Sequence, residues 1–273
     1  MPSSMKNLAV IMSLYKNDTL GFVRLAVESV LRQSFSQYDF FIQYDGHIPD
    51  DVDAYLSGLK DERIRIFRRD NNKGLAQSLN DLLELVMPIG YEYIARMDAD
   101  DISMPERFEG QISYMEGHPE TDCLGTWAIE IKSDGSEFYQ KQMPVTHEGC
   151  RKLFMKRDCM IHPTVMFRRS YFEKAGMYLL DTYFGEDTMM WAQGFAAGCK
   201  FANLPEYLFK FRLNDDFFNR RRGWKHAKGI LTLRWKVNKM LHLPWEAYLY
   251  ALSYAGIKLL PTSVLRYIYR KAR

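Results

Sequence analysis

The first hundred residues alternate short apolar segments with amphipathic ones, and this alternation restricts the chain to few folds. The apolar segments, which predict buried strands, are residues 8–14, 39–44, 63–67 and 91–97. The amphipathic segments, with apolar side chains at three- and four-residue spacing, predict helices at about 20–33, 51–59 and 74–87. Strands that alternate with helices build parallel sheets covered by helices. The sequence therefore predicts an α/β fold with a Rossmann-like, mostly parallel central sheet.

Three carboxylates, Asp98, Asp100 and Asp101, follow the fourth predicted strand directly. Strand ends in open parallel sheets face the crevice in which ligands bind. A D-x-D pattern there can hold a hard divalent cation through its oxygens, and such a cation commonly binds phosphates as well. The alternative is a solvated turn that caps a helix starting near residues 104–106. A second D-x-D, at residues 51–53, lies in a polar stretch and predicts only a helix start.

The loops after the other strands lead to the same edge if the sheet is parallel. Leu14-Tyr15-Lys16 follows the first strand and Tyr44-Asp45-Gly46 follows the second, so an aromatic side chain and a lone acid are expected beside the acid cluster. The chain contains neither the G-x-G-x-x-G of dinucleotide enzymes nor the G-x-x-x-x-G-K-[ST] of P-loop enzymes. A metal ion is therefore the expected means of neutralising a bound phosphate.

Length and composition are compatible with one large domain and an appendage. The chain has 273 residues, 47% of them hydrophobic and 14% aromatic, which is enough to bury a core without cross-links. Its four cysteines are scattered without a C-x-x-C pair, which argues against a zinc site or a disulfide framework. The run 8–14 is too short for the apolar region of a signal peptide, so we expect a cytoplasmic protein.

Charge divides the chain unevenly. Residues 220–273 carry 13 Lys or Arg and one acid, Glu246, which leaves 24 basic and 33 acidic residues in 1–219. An apolar run, residues 247–257, is shorter than the roughly 20 residues that span a bilayer. Interleaved Trp and Tyr with Leu and Ile favour a helical tail at an anionic membrane surface over a nucleic-acid site. A basic tail that is merely packed on the core is the alternative.

Six motifs follow one another along residues 8–212. They are VIMSLYK at 10–16, SVLRQS at 29–34, NNKGLAQSLN at 71–80, MDADDISMPER at 97–107, HPTVMF at 162–167 and GEDTMMW at 185–191. In this order they resemble the inverting glycosyltransferases of family 2, which have a GT-A fold. The resemblance implies a GT-A catalytic domain over residues 1–219, with a nucleotide-sugar half at about 1–101 and an acceptor half at about 102–219. The basic amphipathic helical tail 220–273 would follow it.

Residue by residue, the resemblance implies a donor site at the strand ends. The side chains expected to contact the nucleotide-sugar donor are Ser13, Tyr15, Asp45, Lys73 and Asp98. Asp45 is expected at the base and Asp98 at the ribose or donor sugar, while Lys73 as a solvated loop charge is an alternative. Asp100, with Asp98 sharing the ion, is expected to hold Mg²⁺ or Mn²⁺ against the diphosphate. The metal would stabilise the negative charge that develops on the leaving phosphate.

The acceptor site follows from the same resemblance. An inverting transfer needs one base that deprotonates the acceptor hydroxyl on the face opposite the nucleotide. The resemblance implies that Asp187 is this base, with Glu186 and Trp191 at the acceptor, and His162 is expected at phosphate or acceptor. The alternatives are a helix cap for Asp187, core packing for Trp191 and a structural hydrogen bond for His162.

One segment departs from the family pattern. Many relatives carry Y-R-x-H after a P-E-x-L strand, whereas Phe211-Arg212-Leu213-Asn214 places Asn at the last position. Asn is a poorer metal or phosphate partner than imidazole. The arginine run 220–222 is the alternative group that would close the donor site.

The resemblance implies a setting in bacterial surface-polysaccharide synthesis, such as O-antigen, capsule or exopolysaccharide. We expect a metal-dependent inverting hexosyltransferase that moves a sugar from a UDP-sugar to a glycan acceptor on a polyprenyl diphosphate. It is expected to lie peripherally on the inner face of the cytoplasmic membrane, without a nucleic-acid partner. Two competing hypotheses are a catalytically inactive nucleotide-sugar-binding or membrane scaffold and a D-x-D phosphatase of the haloacid dehalogenase type.

Overall fold

The computed structural model describes residues 7–181, 185–213, 222–262, 264–265 and 268. Its first half consists of four strands joined by three helices. The elements in chain order are β1 (Leu8–Leu14), α1 (Leu20–Leu31), β2 (Tyr38–Asp45), α2 (Asp50–Gly58), β3 (Ile64–Arg69), α3 (Leu75–Ile89) and β4 (Tyr93–Met97). Every predicted strand and helix of this half is present, with bounds that differ by two residues or fewer.

The four strands of this half form a parallel ladder in the order β3-β2-β1-β4. All of β2 is buried, and Ser13 is the one residue of β1 that is only partly buried. Burial on both faces explains why these strands are continuous apolar runs in the sequence. Strands β2 and β3 lie on one side of β1, and β4 lies on its other side, so the strand order reverses at β1. The crevice outside the ends of β1 and β4 is therefore the place where this topology binds ligands.

The second half extends the same sheet with mixed strand directions. Its elements are β5 (Ile102–Ser103), α4 (Arg107–Gly117), β6 (Cys123–Lys132), β7 (Glu137–Lys141), α5 (His147–Phe154), a short 3-10 helix (His162–Thr164), β8 (Met166–Arg168), α6 (Arg169–Ala175), α7 (Glu186–Ala196) and β9 (Phe201–Leu213). The order continues from β4 as β8-β6-β9-β5, with β7 beside β6. The pairing of β6 with β9 is parallel, and the shorter pairings of this half are antiparallel. Most paired residues thus belong to parallel ladders, as predicted.

Apolar side chains form a core on both faces of the sheet. Alternate residues of β1 point to opposite faces, so Val10 and Met12 join the cluster under α1, whereas Ala9 and Ile11 join the cluster under α3 and α7. Buried polar groups of α4 connect the two halves. Arg107 donates to the Arg96 carbonyl at 2.9 Å, and the Gln111 amide donates to the carbonyls of β6 and of the 3-10 helix. These bonds fix the position of the end of β4.

The basic tail contains two further helices, α8 (Trp224–Met240) and α9 (Trp245–Ile257), as the sequence predicted. Leu233 and Val237 of α8 are buried in the cluster that also contains α7, and Arg234 is 2% exposed. Helix α9 packs on α8. The predicted division after residue 219 therefore does not coincide with a break in packing. Among the described residues, the structure contains no helix with the length and apolar character of a membrane span.

We predict that Gly194→Ala destabilises the fold by about 1–3 kcal/mol, because α7 and β9 leave no room for an added methyl group. A Cβ at Gly194 would lie 2.5 Å from the Tyr171 hydroxyl oxygen and 2.7 Å from Phe201 Cζ. Gly21 is the matched control, since a Cβ there meets nothing within 4 Å, and Gly21→Ala should be neutral or stabilising by up to about 1 kcal/mol. Urea unfolding measures both changes, and equal effects would contradict the close packing of α7.

Candidate active site

The acid cluster after β4 is compact. Carboxylate oxygens of Asp98, Asp100 and Asp101 lie within 4.8 Å of one another, and within the described part of the chain this is the group of side chains placed to hold a metal ion. Asp98 and Asp100 are partly buried, whereas Asp101 is fully buried. The alternative of a helix cap is wrong, because the cap residue of α4 is Glu106. None of the three acids caps this helix, and Asp98 lines a pocket at the end of β4.

A buried arginine holds the first of these acids. Arg96, on β4, is 2% exposed. Its guanidinium donates to both carboxylate oxygens of Asp98, and the distance from Nη1 to Oδ2 is 3.1 Å. Burial alone lowers the pKa of Arg96, but Asp98, together with Tyr178 and Glu186, raises it above its usual value. The guanidinium thus stays charged. Asp98, which follows β4, and Glu186, in the first turn of α7, thus both act on this guanidinium.

A second arginine, Arg212 of β9, organises the rest of the cluster. Its backbone N–H donates to Asp101 Oδ1 at 2.7 Å, and its Nε donates to the Asp100 carbonyl at 2.7 Å. Its guanidinium also lies over the Phe22 ring at 4.3 Å. Arg212 is the Arg of the Y-R-x-H pattern, but no contact of this residue was predicted from the sequence. The residues expected to affect closure of the donor site are outside the described part of the chain in three cases, Asn214, Arg220 and Arg221.

The cluster fits a divalent cation. Asp101 Oδ2 is buried and has no hydrogen-bond partner among the described residues. Burial, with the nearby charges of Asp100 and Asp98, raises the pKa of the Asp101 carboxyl well above its usual range. Three oxygen ligands of this kind, one of them lacking a partner, suit Mg²⁺ or Mn²⁺. A cation there would satisfy the orphaned oxygen and offset the mutual repulsion of the acids.

A fourth carboxylate, missed in the sequence, faces this cluster. Asp18 follows β1 and accepts a hydrogen bond from the Tyr15 backbone N–H at 2.8 Å. Burial raises the pKa of Asp18 to about 7, against the lowering effect of that bond, and the charges of Asp100 and Asp98 add to the rise. Its only sequence signal is its place in the loop after β1.

The predicted donor residues lie around the same edge. Ser13 is partly buried near the end of β1, Tyr15 is 36% exposed just after it, and Lys73 is exposed in the loop before α3. Asp45 is buried at the end of β2, where its carboxylate accepts from the Lys73 and Gly74 backbone N–H groups at 2.7 and 2.9 Å. The structure thus shows Asp45 anchoring the loop 71–74, and its direct contact with a base stays a prediction.

The two acids of the acceptor half lie in the first turn of α7. The cap residue of this helix is Gly185, with φ of 80°, so the alternative of Asp187 as helix cap is wrong. Negative charge in a first turn is favoured by the helix dipole. Glu186 and Asp187 line a pocket of about 850 Å³ whose wall also contains Arg96 and Asp98. The structure therefore brings the predicted base and the predicted donor contact to one cavity.

The aromatic residue of the same motif points elsewhere. Trp191 is fully buried, edge-on to His162 at 5.6 Å and stacked on Phe167 at 6.0 Å. The predicted position of Trp191 at the acceptor does not agree with this burial, and the alternative of core packing is what the structure shows. His162 lines the pocket, but its Nε2 lies 2.8 Å from the Tyr178 hydroxyl, and burial and Arg96 lower its pKa well below the usual range. A neutral, structural histidine is what the structure shows, and contact with acceptor stays a prediction.

The tail supports the start of α7. Asp158 Oδ1 accepts from the Thr188 hydroxyl at 2.8 Å and from Arg234 Nη2 of α8 at 3.0 Å. A Cβ at Gly185 would lie 2.3 Å from Leu233 Cδ2 of α8, so only glycine permits this approach at its positive φ. Sequence analysis identified neither Asp158 nor Arg234. The helix that carries Asp187 thus rests directly on α8.

Comparison with known proteins decides the family. Residues 9–176 match the family model described as Glycosyl transferase family 2. The chain is also 32% identical over 267 residues to "Amylovoran biosynthesis glycosyltransferase AmsE" of Erwinia amylovora, a match that covers 97% of this chain and 98% of that protein. The chain belongs to glycosyl transferase family 2. The resemblance inferred from its motifs is confirmed, and the phosphatase hypothesis is wrong.

A second relative and a solved structure extend the similarity. A relative named "UDP-Gal:alpha-D-GlcNAc-diphosphoundecaprenol beta-1,3-galactosyltransferase", from Escherichia coli, is 25% identical over 266 residues and covers 96% of this chain and 95% of its own length. A solved structure, the mannosyltransferase PcManGT from Pyrobaculum calidifontis in complex with GDP-Man and Mn²⁺, has a TM-score of 0.66 and 14% identity, over 99% of this chain and 81% of that one. The fold of this family 2 protein is therefore GT-A-like, as expected.

We predict that Asp18→Asn removes a pH dependence of folding in the presence of a chelator. The native pKa of about 7 lies above the unfolded value of 3.8, so the native state holds an extra proton between these values. The free energy of unfolding should therefore fall as pH rises through this range, by up to about 1.4 kcal/mol per pH unit, and Asp18→Asn should flatten that slope. Urea unfolding at several pH values measures it. The exposed Glu84→Gln is the control, and an unchanged slope in Asp18→Asn would contradict the burial of this carboxyl.

Proposed function

We propose that this protein is an inverting, metal-dependent hexosyltransferase that acts in bacterial surface-polysaccharide synthesis. It transfers a sugar from a UDP-sugar to a glycan acceptor carried on a polyprenyl diphosphate. The observation that carries the proposal is that Arg96, Asp98, Glu186 and Asp187 line one and the same pocket. The name of the Escherichia coli relative includes UDP-Gal and a diphosphoundecaprenol acceptor, and that of the Erwinia relative includes amylovoran biosynthesis, which supports the donor, the carrier and the setting.

The donor binds at the ends of β1 and β4 in this proposal. Asp100, with Asp98 and Asp101, would hold Mg²⁺ or Mn²⁺, which supplies positive charge against the donor diphosphate and its leaving oxygen. Ser13 and Tyr15 line the approach from β1. The loop 71–74, which Asp45 anchors, presents Lys73 to the same side. Arg96 orients the Asp98 carboxylate through its two hydrogen bonds.

Asp187 acts as the general base, and Glu186 orients the acceptor. The acceptor oxygen forms a bond to the anomeric carbon while its proton moves to the Asp187 carboxylate. The bond between the anomeric carbon and the phosphate oxygen breaks, and its electron pair leaves with the nucleoside diphosphate. Attack from the face opposite the leaving group inverts the configuration. General base catalysis of this kind contributes about 10²–10⁴-fold in rate.

The tail is proposed to hold the enzyme at the inner face of the cytoplasmic membrane. Its large apolar side chains are unusually exposed, at 74% for Trp224, 50% for Trp235 and 67% for Trp245. Exposed Trp beside Lys and Arg is the composition of interfacial helices at anionic bilayers. Leu249 and Leu252 of α9 are each 50% exposed and extend this surface. A lipid-linked acceptor would be met at such a membrane.

Two substitutions test the chemistry. Asp187→Asn should lower kcat by about 10²–10⁴-fold with little change in donor KM, because the carboxylate acts on the acceptor proton. Asp100→Asn should abolish Mn²⁺-dependent binding of UDP, measured by calorimetry. The assay is UDP release from a panel of UDP-sugars with Mg²⁺ or Mn²⁺ and a crude lipid-linked acceptor, and the exposed Glu84→Gln is the control. Failure of the wild type to release UDP from any donor would favour an inactive scaffold.

A separate prediction concerns the membrane. The double variant Trp224→Ser, Trp245→Ser should bind anionic vesicles at least about tenfold more weakly in a flotation assay. Each exposed indole that enters the membrane interface contributes about 1 kcal/mol or more to binding. The matched control replaces Leu25 and Ile89, which are 46% and 58% exposed outside the tail, with serine. Equal loss of flotation in both variants, or none in either, would exclude the tail as the membrane contact.

A further inference from the structure

The pocket that contains Asp187 continues beyond the acids into a part built by α9 and by the segment after α5. We call this part the outer pocket. Its lining residues are Lys156, Arg157, Tyr250, Tyr254, Ile257 and Lys258. The outer pocket is thus walled on one side by the catalytic domain and on the other by the tail.

The charges along the pocket are segregated. Its inner part contains the carboxylates of Asp98, Glu186 and Asp187, with Arg96 paired to Asp98, whereas the outer pocket contains three cationic side chains. A further lining cation, Lys141, lies 3.9 Å from Glu130. One acid, Asp158, also lines the pocket, but it already accepts from Arg234 and Thr188. In the described part of the chain, the structure gives Lys156 and Arg157 no carboxylate partner. The outer pocket therefore has a local excess of positive charge.

Aromatic rings stand beside these cations. The Lys156 ammonium lies over the Tyr250 ring at 4.9 Å, and the Lys258 ammonium lies over the Tyr254 ring at 4.7 Å. The contact with Tyr250 holds the Lys156 side chain in place while leaving its N–H groups available to an anion. Tyr250, Tyr254 and Ile257 all belong to α9, so they form one apolar wall next to the cations.

We propose that the outer pocket binds the diphosphate and the first isoprene units of the acceptor lipid, an inference that rests on the proposed transfer to a lipid-linked acceptor. Lys156, Arg157 and Lys258 contact the diphosphate oxygens, and the tyrosines with Ile257 contact the prenyl chain. The sugar attached to the diphosphate then points inward, to Asp187. The chain leaves along α9, towards its exposed Leu249 and Leu252.

The chemistry distinguishes this site from the donor site. Carboxylates can bind a diphosphate only through a metal ion, whereas guanidinium and ammonium groups bind it directly by charge-assisted hydrogen bonds. Binding of a diphosphate to the outer pocket should therefore persist in a chelator that disables the donor site. The apolar wall adds a second requirement, since it favours a prenyl diphosphate over inorganic pyrophosphate.

The experiment measures binding of farnesyl diphosphate to the full chain by calorimetry, in EDTA and without vesicles or detergent. We expect the wild type to bind it, and the double variant Lys156→Gln, Arg157→Gln to bind at least about tenfold more weakly, because hydrogen bonds to charged groups are lost. The control is Lys228→Gln with Lys239→Gln, which removes the same charge from exposed tail positions outside the pocket lining. This control should leave the Kd unchanged.

A second experiment measures how much the apolar wall contributes to binding of the prenyl chain. Tyr254→Ala should weaken binding of farnesyl diphosphate severalfold while leaving binding of inorganic pyrophosphate within about twofold, because only the prenyl chain meets the ring. Thermal unfolding of each variant shows whether it is folded, and Lys156→Arg, which keeps the charge, should retain binding. Loss of binding in Lys156→Arg to the same extent as in the glutamine variant would overturn the electrostatic role.

Three results would overturn the proposal. They are absence of farnesyl diphosphate binding by the wild type, equal weakening in the two glutamine double variants, and a preference for inorganic pyrophosphate over farnesyl diphosphate. Release of UDP from a UDP-sugar by the same preparation, with Mn²⁺, separates this failure from failure of the proposed transferase function. A protein that releases UDP but does not bind the prenyl diphosphate is a transferase without the outer lipid site.

Discussion

The ion pair between Arg96 and Asp98 is the interaction on which the site depends. A fully buried guanidinium costs several kcal/mol in lost solvation unless acids and carbonyls compensate for it, and removal of a partner from such a pair costs about 3–5 kcal/mol. The fold meets this requirement by placing Asp98 at the end of β4 and Glu186 in the first turn of α7, both of which stabilise the charge of Arg96. Asp98 and the start of α7 are thus positioned around the same buried cation.

The tail completes this arrangement rather than standing apart from it. Arg234 of α8 is 2% exposed and joins Asp158, which also accepts from Thr188 beside the proposed base. Leu233 fills the space above Gly185, the cap residue of α7. One face of α8 is therefore part of the core, and exposed Trp side chains lie on the rest of the tail. Helix α8 thus connects the surface of the tail with the turn that carries Asp187.

The sequence predicted the strands and helices well because their signals are local. A continuous apolar run follows from burial of both faces of a strand, and a period of 3.6 residues follows from burial of one face of a helix. The fold of residues 8–97 is built from such segments. The site was predicted less completely. Arg212 contacts Asp101 across 111 residues and Arg234 contacts Asp158 across 76, and pairings at such separations leave no periodic trace in one sequence.

Trp191 shows a different limit of sequence reasoning. It lies four residues after Asp187, so the two side chains share a side of α7, but spacing cannot say where along the helix the crevice ends. The first turn reaches the pocket, whereas the next turn is covered by Phe167 and His162. His162, which covers this turn, is itself held by a hydrogen bond to the Tyr178 hydroxyl. Residues at the end of an element face ligands, and residues one turn further pack into the core.

Charge segregation along the pocket has a consequence for a reaction that brings two diphosphates together. Two unit charges about 10 Å apart repel by about 1.7 kcal/mol at an effective dielectric constant of about 20, and each diphosphate carries more than one charge. In the proposed arrangement the donor diphosphate is neutralised by a metal on the inner acids, and the acceptor diphosphate by Lys156, Arg157 and Lys258. Acids alone would repel the acceptor, and bases alone would not hold the metal. Opposite charges at the two ends of one pocket therefore allow both substrates to bind at once, with the acceptor sugar between them at Asp187.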